Sequence, residues 1–411
     1  MKKVILLSQQ TPMWHFQSNQ EGCCLRATEV KPKLDRFLLE KDKDTFSKFR
    51  LNDTTALDYK LSFVVSGEKI TYESSKFRLF FGTGKKLISY EDEIKMIVFS
   101  LQDDLIEEMC KYLCAFFATH SFGTRQDKGF GFFFPKKENK LTGNLEDSYG
   151  AKYMFDLPYN DFYSIFNAIY YFHKLIRSGI NESGCYYKSL MYFYAKEKCN
   201  GRHWDKAIIR HHFELYTNVY KSICGRSPYS KDNFYVDKNG HEYPPREDMI
   251  DEYKQFDLRT CSRCLFRDAL GLASTQAWRA YNDTITITAM NERGERDKNF
   301  TRFKSPIMYR PVIIDDKCIV YIYFNSHSLE AIKRKSFRIS NKNNQNAING
   351  IKIYPDFSFE KYFNFIEERY KTLVGIENLS ITGNAKSDVS NEYIEEIFAP
   401  FTNGKGNFRK V

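Results

Sequence analysis

The chain opens on a short apolar run, Val4-Ile5-Leu6-Leu7, closed by Ser8-Gln9-Gln10, which predicts a strand over Lys3–Gln9. A turn-bearing segment from Pro12 to Gly22 follows. Leu34, Phe37 and Leu38 then recur at helical spacing within Leu25–Leu39. Thr28 offers a helix start, and Pro32 is tolerated in a first turn, so the helix is expected to begin close to Pro32. Strands are predicted at Asp58–Val65 and Phe77–Phe81. A helix from about Glu91 or Leu101 to Ala118 follows, with Leu105, Met109, Leu113 and Phe116 on one side. Ser121–Gly131 is a Gly- and cation-bearing turn that runs into the aromatic strand Phe132-Phe133-Phe134. The order β-α-β-β-α-β is that of a ferredoxin-like, or RRM-like, unit.

After a polar connector, Lys136–Gly150, the pattern resumes with a strand at Lys152–Leu157. A helix at Asn160–Arg177 turns Phe162, Ile165, Phe166, Ile169 and Phe172 inward. A helical stretch over roughly Tyr186–Ile223 leads to a polar, turn-rich segment through Pro244-Pro245 to Asp257. Strands at Thr284–Met290, Ser305–Ile314 and Cys318–Asn325 precede a helix from Phe357 to Leu373. The expected fold class is α+β with two ferredoxin-like units. The first spans 1–150 and holds the Gly-rich loop; the second spans 151–411 with a mostly helical insertion at about 180–283. The basic tail Gly404–Lys410 is expected to fray.

A length of 411 residues is room for more than one core. The hydrophobic fraction of 42% and charged fraction of 28% exclude wholesale disorder. The net charge of +10 permits a polyanion partner without requiring one. No apolar run approaches the ~18 residues of a membrane helix, and four apolar residues fall short of the ~7–15 of a signal peptide. The ten Cys are scattered, which favours reduced thiols. A cytoplasmic protein with no membrane partner and no cofactor is expected.

Two segments are candidates for chemistry. In Ser121–Gly131, Gly123, Gly129 and Gly131 permit tight turns and close backbone approach, while Arg125 and Lys128 add cationic donors. The segment follows a helix and precedes a strand, the reverse of a dinucleotide-binding turn, and lacks the Gly-Lys-Ser/Thr of a P-loop. In Leu25–Leu39, Lys31, Lys33 and Arg36 sit near the start of a helix, where the dipole gains nothing from cations unless an anion sits there. The topology allows Arg26, Lys31, Lys33, Arg125 and Lys128 to line one groove suited to a phosphate backbone. The competing readings are a solvated basic helix face and a glycine-bearing turn.

Together these segments, with the strand ending at Thr11-Pro12, resemble the RAMP superfamily of CRISPR-associated proteins. The resemblance is closest to the Cmr-type subunit with two fused ferredoxin-like units in type III effector complexes. It rests on the Arg- and Lys-bearing approach to the first helix and on the glycine-rich loop with interleaved Arg and Lys. It implies an antiviral-defence ribonucleoprotein whose partners are guide RNA, target RNA and other CRISPR effector subunits. It also implies binding by backbone and shape, with base pairing reading the sequence. The RNA-binding residues it implies are Arg26, Lys31, Lys33, Arg36, Gly123, Arg125, Lys128, Gly129 and Gly131, with no catalytic residue and no metal ligand.

The alternatives are a metal-independent endoribonuclease of the same superfamily, with His15 or His120 as proton carrier, and a scaffold that binds no RNA. Cys261 and Cys264 form a lone CxxC; Cys185, Cys199, His203 and Cys224 lack diagnostic zinc spacing. His203, His211 and His212 with Glu214 show no metalloprotease motif. The basic run Lys333–Arg338 is a solvated segment or a strand-tracking contact. Asp315-Asp316 suits a tight turn.

Overall fold

In this computed structural model the described residues are 1–14, 24–52, 54–78, 86–91, 93–137, 140–141, 149–182, 185–187, 189–199, 205–213, 235–236, 242–243, 264–278, 283–300, 302–342, 344–372 and 408–411. The opening apolar run becomes β1 (Lys2–Gln9), followed by α1 (Ala27–Lys41), α2 (Lys43–Ser47), β2 (Lys60–Val65), β3 (Lys69–Glu73) and β4 (Lys86–Tyr90). Next come β5 (Ile94–Phe99), α3 (Asp103–Thr119), β6 (Phe133–Lys137) and β7 (Lys140–Leu141). The first sheet has the order β2-β5-β1-β6-β7, with every pair antiparallel. Its inner face presents Leu7, Ile94, Met96 and Val98, all at 0% exposure, to the core. Leu34 and Leu38 of α1 and Leu105, Met109 and Phe116 of α3 are buried in the same core.

A second antiparallel sheet is formed by β8 (Tyr153–Pro158), β9 (Ile307–Ile314), β10 (Lys317–Phe324) and β11 (Arg409–Lys410), in the order β9-β10-β8-β11. The helix α4 (Phe162–Arg177) buries Ile165, Phe166, Ile169 and Phe172; the Phe172 and Phe155 rings are 5.0 Å apart. The β9–β10 turn places Asp315 at φ 54, a left-handed conformation that Asp tolerates.

Contacts divide the chain into two compact units, one of Met1–His173, Ile307–Phe324 and Asp388–Val411, the other of Lys174–Pro306 and Asn325–Ser387. The second unit has its own sheet, in the order Cys264–Leu265, Asn344–Ile353, Ser336–Asn341, Asp283–Met290 and Thr275–Trp278. Its helices include Leu190–Lys198, Asp205–His212, Ser326–Lys333 and Phe359–Thr372. The Tyr194 ring packs among Phe266, Phe357, Tyr362 and Phe365.

The mixed α+β character matches the expectation; several elements do not. The third strand of the first sheet is Ile94–Phe99, a stretch that the earlier of the two expected helix starts, Glu91, includes. Of the expected strand at Phe77–Phe81, residues 79–81 lie outside the described residues. The hairpin β3–β4 was not foreseen. Asp283–Met290 pairs with Ser336–Asn341, not with the strands of the second sheet, and the closing helix belongs to the second unit. The tail does not fray from Phe408 onward: that ring is 1% exposed and stacks on Tyr153 at 5.5 Å, while Arg409 and Lys410 pair with β8. Burying one aromatic and pairing a strand offsets the entropy that frees a polar tail. α1 starts at Ala27, so Pro32 lies beyond its first turn; Pro32 and Thr28 are both exposed, and the carbonyl that Pro32 cannot serve is at a solvent-facing position. No helix among the described residues is long and apolar enough to cross a membrane.

Candidate nucleic-acid interface

The Gly-rich loop leaves the C-terminus of α3 and is tied to the segment after β1. The Phe122 N–H donates to the Gly131 carbonyl at 2.9 Å, the Gly131 N–H to Pro12 at 3.0 Å, and the Thr124 N–H to Trp14 at 2.9 Å. Buried Thr11 donates its hydroxyl to the Gly129 carbonyl at 2.7 Å and accepts the Phe132 N–H at 2.9 Å. Gly123, Gly129 and Gly131 all have positive φ. A Cβ at Gly123 would lie 2.6 Å from the Trp14 carbonyl oxygen, one at Gly129 2.8 Å from Pro311 Cδ, and one at Gly131 1.9 Å from the Phe122 oxygen. The glycines therefore meet a demand of the chain's own packing.

The loop and α1 meet through Glu29. Its Oε1 accepts the Gly123 N–H at 3.1 Å, the Gln126 side-chain amide at 3.3 Å and the Lys33 ammonium at 3.0 Å. Lys33 also donates to the Ser121 carbonyl at 3.2 Å and to Gln126 Oε1 at 3.3 Å. One of the anion positions expected beside α1 is thus filled by the chain's own carboxylate.

Lys31 turns away. It donates to Asp35 and to the Leu57 carbonyl, both at 2.8 Å, and sits 3.9 Å from the Tyr59 ring centroid. Two residues along a helix are about 200° apart, so Lys31 and Lys33 cannot face one groove. Lys128 also points inward, with its ammonium 3.1 Å from His173 Nε2 and 3.5 Å from Asp127. His173 Nδ1 is in turn 2.9 Å from the Tyr309 hydroxyl. Arg26 is half-buried at the start of α1, whereas Arg36 and Arg125 are exposed, Arg125 at φ 61. The structure brings Lys33 to the loop that bears Arg125, and it directs Lys31 and Lys128 elsewhere.

Arg310 is the residue that sequence reasoning missed. It is 2% exposed on β9 and donates to the Gln126 carbonyl at 3.0 Å, to Thr119 at 2.9 Å and to Tyr309 at 2.8 Å. Burial pushes its guanidinium down to about 10. It closes the last turn of α3 and pins the loop with one cation, at the helix end where a cation is favoured. A lone Arg inside an apolar strand, Ile307-Met308-Tyr309-Arg310-Pro311-Val312, was the available signal.

Comparison with known proteins gives the family. The Cmr1 N-terminal domain matches residues 1–180 and the Cmr1 C-terminal domain matches residues 186–387. The chain belongs to the Cmr1 family. Its relation to the Cmr-type RAMP subunits thus extends well beyond the two motifs. Two solved structures are similar to this Cmr1-family chain. One is the apo crystal structure of Cmr1 from Pyrococcus furiosus, at 10% identity and TM-score 0.35, covering 100% of this chain and 98% of that one. The other is the cryo-EM structure of the Type III-B Cmr-beta bound to cognate target RNA, at 11% identity and TM-score 0.24, covering 33% of this chain and 58% of that one. No curated protein matches.

Within this Cmr1-family chain, His120 is a packed residue. It stacks on Phe116 at 4.6 Å and meets Phe37 edge-on, and its Nδ1 lies 3.0 Å from the Phe116 carbonyl, which places the proton on Nδ1. Burial above all, with Arg310 and Lys33 adding to it, pushes His120 from 6.5 down to about 4. A folded-state value below the unfolded one means that the native state resists charging. Stability is full above about pH 6.5 and is lost as pH falls toward about 4. His120→Phe should flatten that acid limb in urea titrations, and the His120 ring should remain neutral by NMR at pH 5.

His15, Cys261, His203, Glu214 and Cys224 lie outside the described residues, as do the side chains of Cys185 and His211. Cys199 and Cys264 are half-buried, and His212 Nε2 lies 2.9 Å from the Asn346 carbonyl. No cluster of metal-ligating side chains is found among the described residues. In the basic run, Lys333 pairs with Glu330 at 2.8 Å and Lys335 with Asp297 at 2.5 Å.

Proposed function

We propose that this chain is a non-catalytic RNA-binding subunit of a type III CRISPR effector ribonucleoprotein. In this reading it contacts guide RNA and the guide–target duplex by backbone and shape, beside other effector subunits in the cytoplasm. Membership of the Cmr1 family supports the effector-subunit part. The orders β2-β5-β1-β6 and β9-β10-β8-β11 support reading both sheets of the first unit as ferredoxin-like, since each is the antiparallel 2-3-1-4 or 4-1-3-2 arrangement in its own chain order. The observation that carries RNA binding is the junction where Lys33 meets the Gly-rich loop, with Arg36 on the same helix and Arg125 on the loop both exposed. A phosphate backbone is recognised by such cations without any base being read. The packed, neutral His120 supports the non-catalytic part, because a proton carrier needs a value near the working pH.

RNA affinity should fall with salt at about −0.7 per phosphate contact on logarithmic axes, and Arg36→Ser with Arg125→Ser should reduce that slope by about 1.4. A salt-independent affinity would sink the reading. Cleavage of repeat-derived RNA that is lost in His15→Ala or His120→Ala would favour the endoribonuclease.

A further inference from the structure

The outer face of the first sheet is the least explained surface of the first unit. Three cross-strand rows run across it: Lys2, Phe99 and Lys60; Val4, Ile97 and Ser62; Leu6, Lys95 and Val64. Side chains alternate between faces, so while Met96 and Val98 are buried, Val4, Val64 and Phe99 are 49%, 48% and 41% exposed. Lys2, Lys60 and Lys95 are exposed, and among the described residues they make no hydrogen bond or ion pair. Phe99 has no aromatic or cationic partner there either. The three rows carry no carboxylate. Glu93, one residue before β5, is paired with Lys136 at 3.6 Å.

We propose that this face is a further RNA contact, taking an unpaired stretch of RNA with one base on Phe99 and the flanking phosphates on Lys2, Lys60 and Lys95. Neighbouring strands are about 4.8 Å apart, so Lys2 and Lys60 leave the sheet about 10 Å apart with the Phe99 ring midway between them. A ring bracketed by cations is the pairing of stacking platform and backbone track that holds single strands. Protein interfaces deplete Lys from their centres, whereas here Lys95 lies on the strand between β1 and β2. The inference rests on the RNA-binding reading and adds a strand-type preference to it: duplex at the loop, single strand at the sheet.

The experiment compares the full chain with Phe99→Ala, Phe99→Tyr and the triple variant Lys2→Ser/Lys60→Ser/Lys95→Ser, using oligo(U) and an RNA duplex of equal length. Phe99→Ala should weaken oligo(U) binding about ten-fold and Phe99→Tyr should restore it, with duplex binding unchanged in both. The triple variant should lower the oligo(U) salt slope by about 2. Because the four positions are exposed, denaturation midpoints should match the wild type. Unchanged oligo(U) affinity in Phe99→Ala, with duplex binding intact, would overturn this inference and leave the loop reading standing. So would normal RNA binding coupled to failure to join an effector complex, which would assign the face to a protein partner. Absence of binding to either RNA by the wild type would overturn both readings.

Discussion

Gly131→Ala is expected to destabilise the chain by about 3–5 kcal/mol, several times more than Gly150→Ala. Both glycines have left-handed backbones, at φ +65 and +80. That conformation costs an L-residue about 1–2 kcal/mol by itself. Around Gly150 a new Cβ meets nothing within 4 Å, whereas at Gly131 it would lie 1.9 Å from the Phe122 oxygen. Relief there requires moving Phe122 or Gly131, and both are held by backbone hydrogen bonds, to each other and to Pro12, each a net loss of about 1 kcal/mol if broken. Urea denaturation of the three proteins measures the difference, and equal midpoints for the two variants would refute the packing role. Gly129→Ala should fall between them, since the Pro311 ring can give slightly. Loss of RNA binding in a Gly131 variant would then report a disordered loop, not a blocked approach to phosphate.

Arg310→Met is the second large effect, a loss of about 2–4 kcal/mol. Methionine replaces much of the buried volume but leaves the carbonyls of Thr119, Gln126 and Tyr309 without the donors they have now. Each buried acceptor left unsatisfied costs about 1–3 kcal/mol, partly offset by no longer burying a cation. The loss should be local before it is global: amide hydrogen exchange over the loop and the last turn of α3 should accelerate. Arg36→Met, at an exposed position, should change neither exchange nor midpoint.

Elements whose buried stripe is unbroken were legible from the sequence. Leu105, Met109, Leu113 and Phe116 are all buried on α3, and β9 and β10 lie within a residue or two of their expected positions. The strand Ile94–Phe99 was not legible, because apolar residues occupy both of its faces: Ile94, Met96 and Val98 inside, Ile97 and Phe99 outside. Without alternation its period is ambiguous. The same feature that hid the strand creates the apolar and basic outer face. At the candidate interface the residue types were legible and their partners were not. The Glu29–Lys33 pair has the i,i+4 spacing of a helix face. But Glu29 meets Gly123, His173 and Tyr309 lie beyond Lys128, and Arg310 reaches the loop, all from distant parts of the chain, and no local spacing announces those contacts. Lys31 and Lys33 differ for a reason that helical geometry alone supplies.

The second sheet is stitched from stretches of chain that the residues of the other unit keep apart. During synthesis β8 is in place long before β9 and β10 exist, and β11 comes later still. Until then β8 offers open hydrogen-bonding edges to any passing strand, a standing invitation to misassociation. The two intervening excursions close only together, since Asp283–Met290 of the first pairs with Ser336–Asn341 of the second. The tether to the waiting edge is therefore shortened, and the entropic cost of closure cut, only after both have been made.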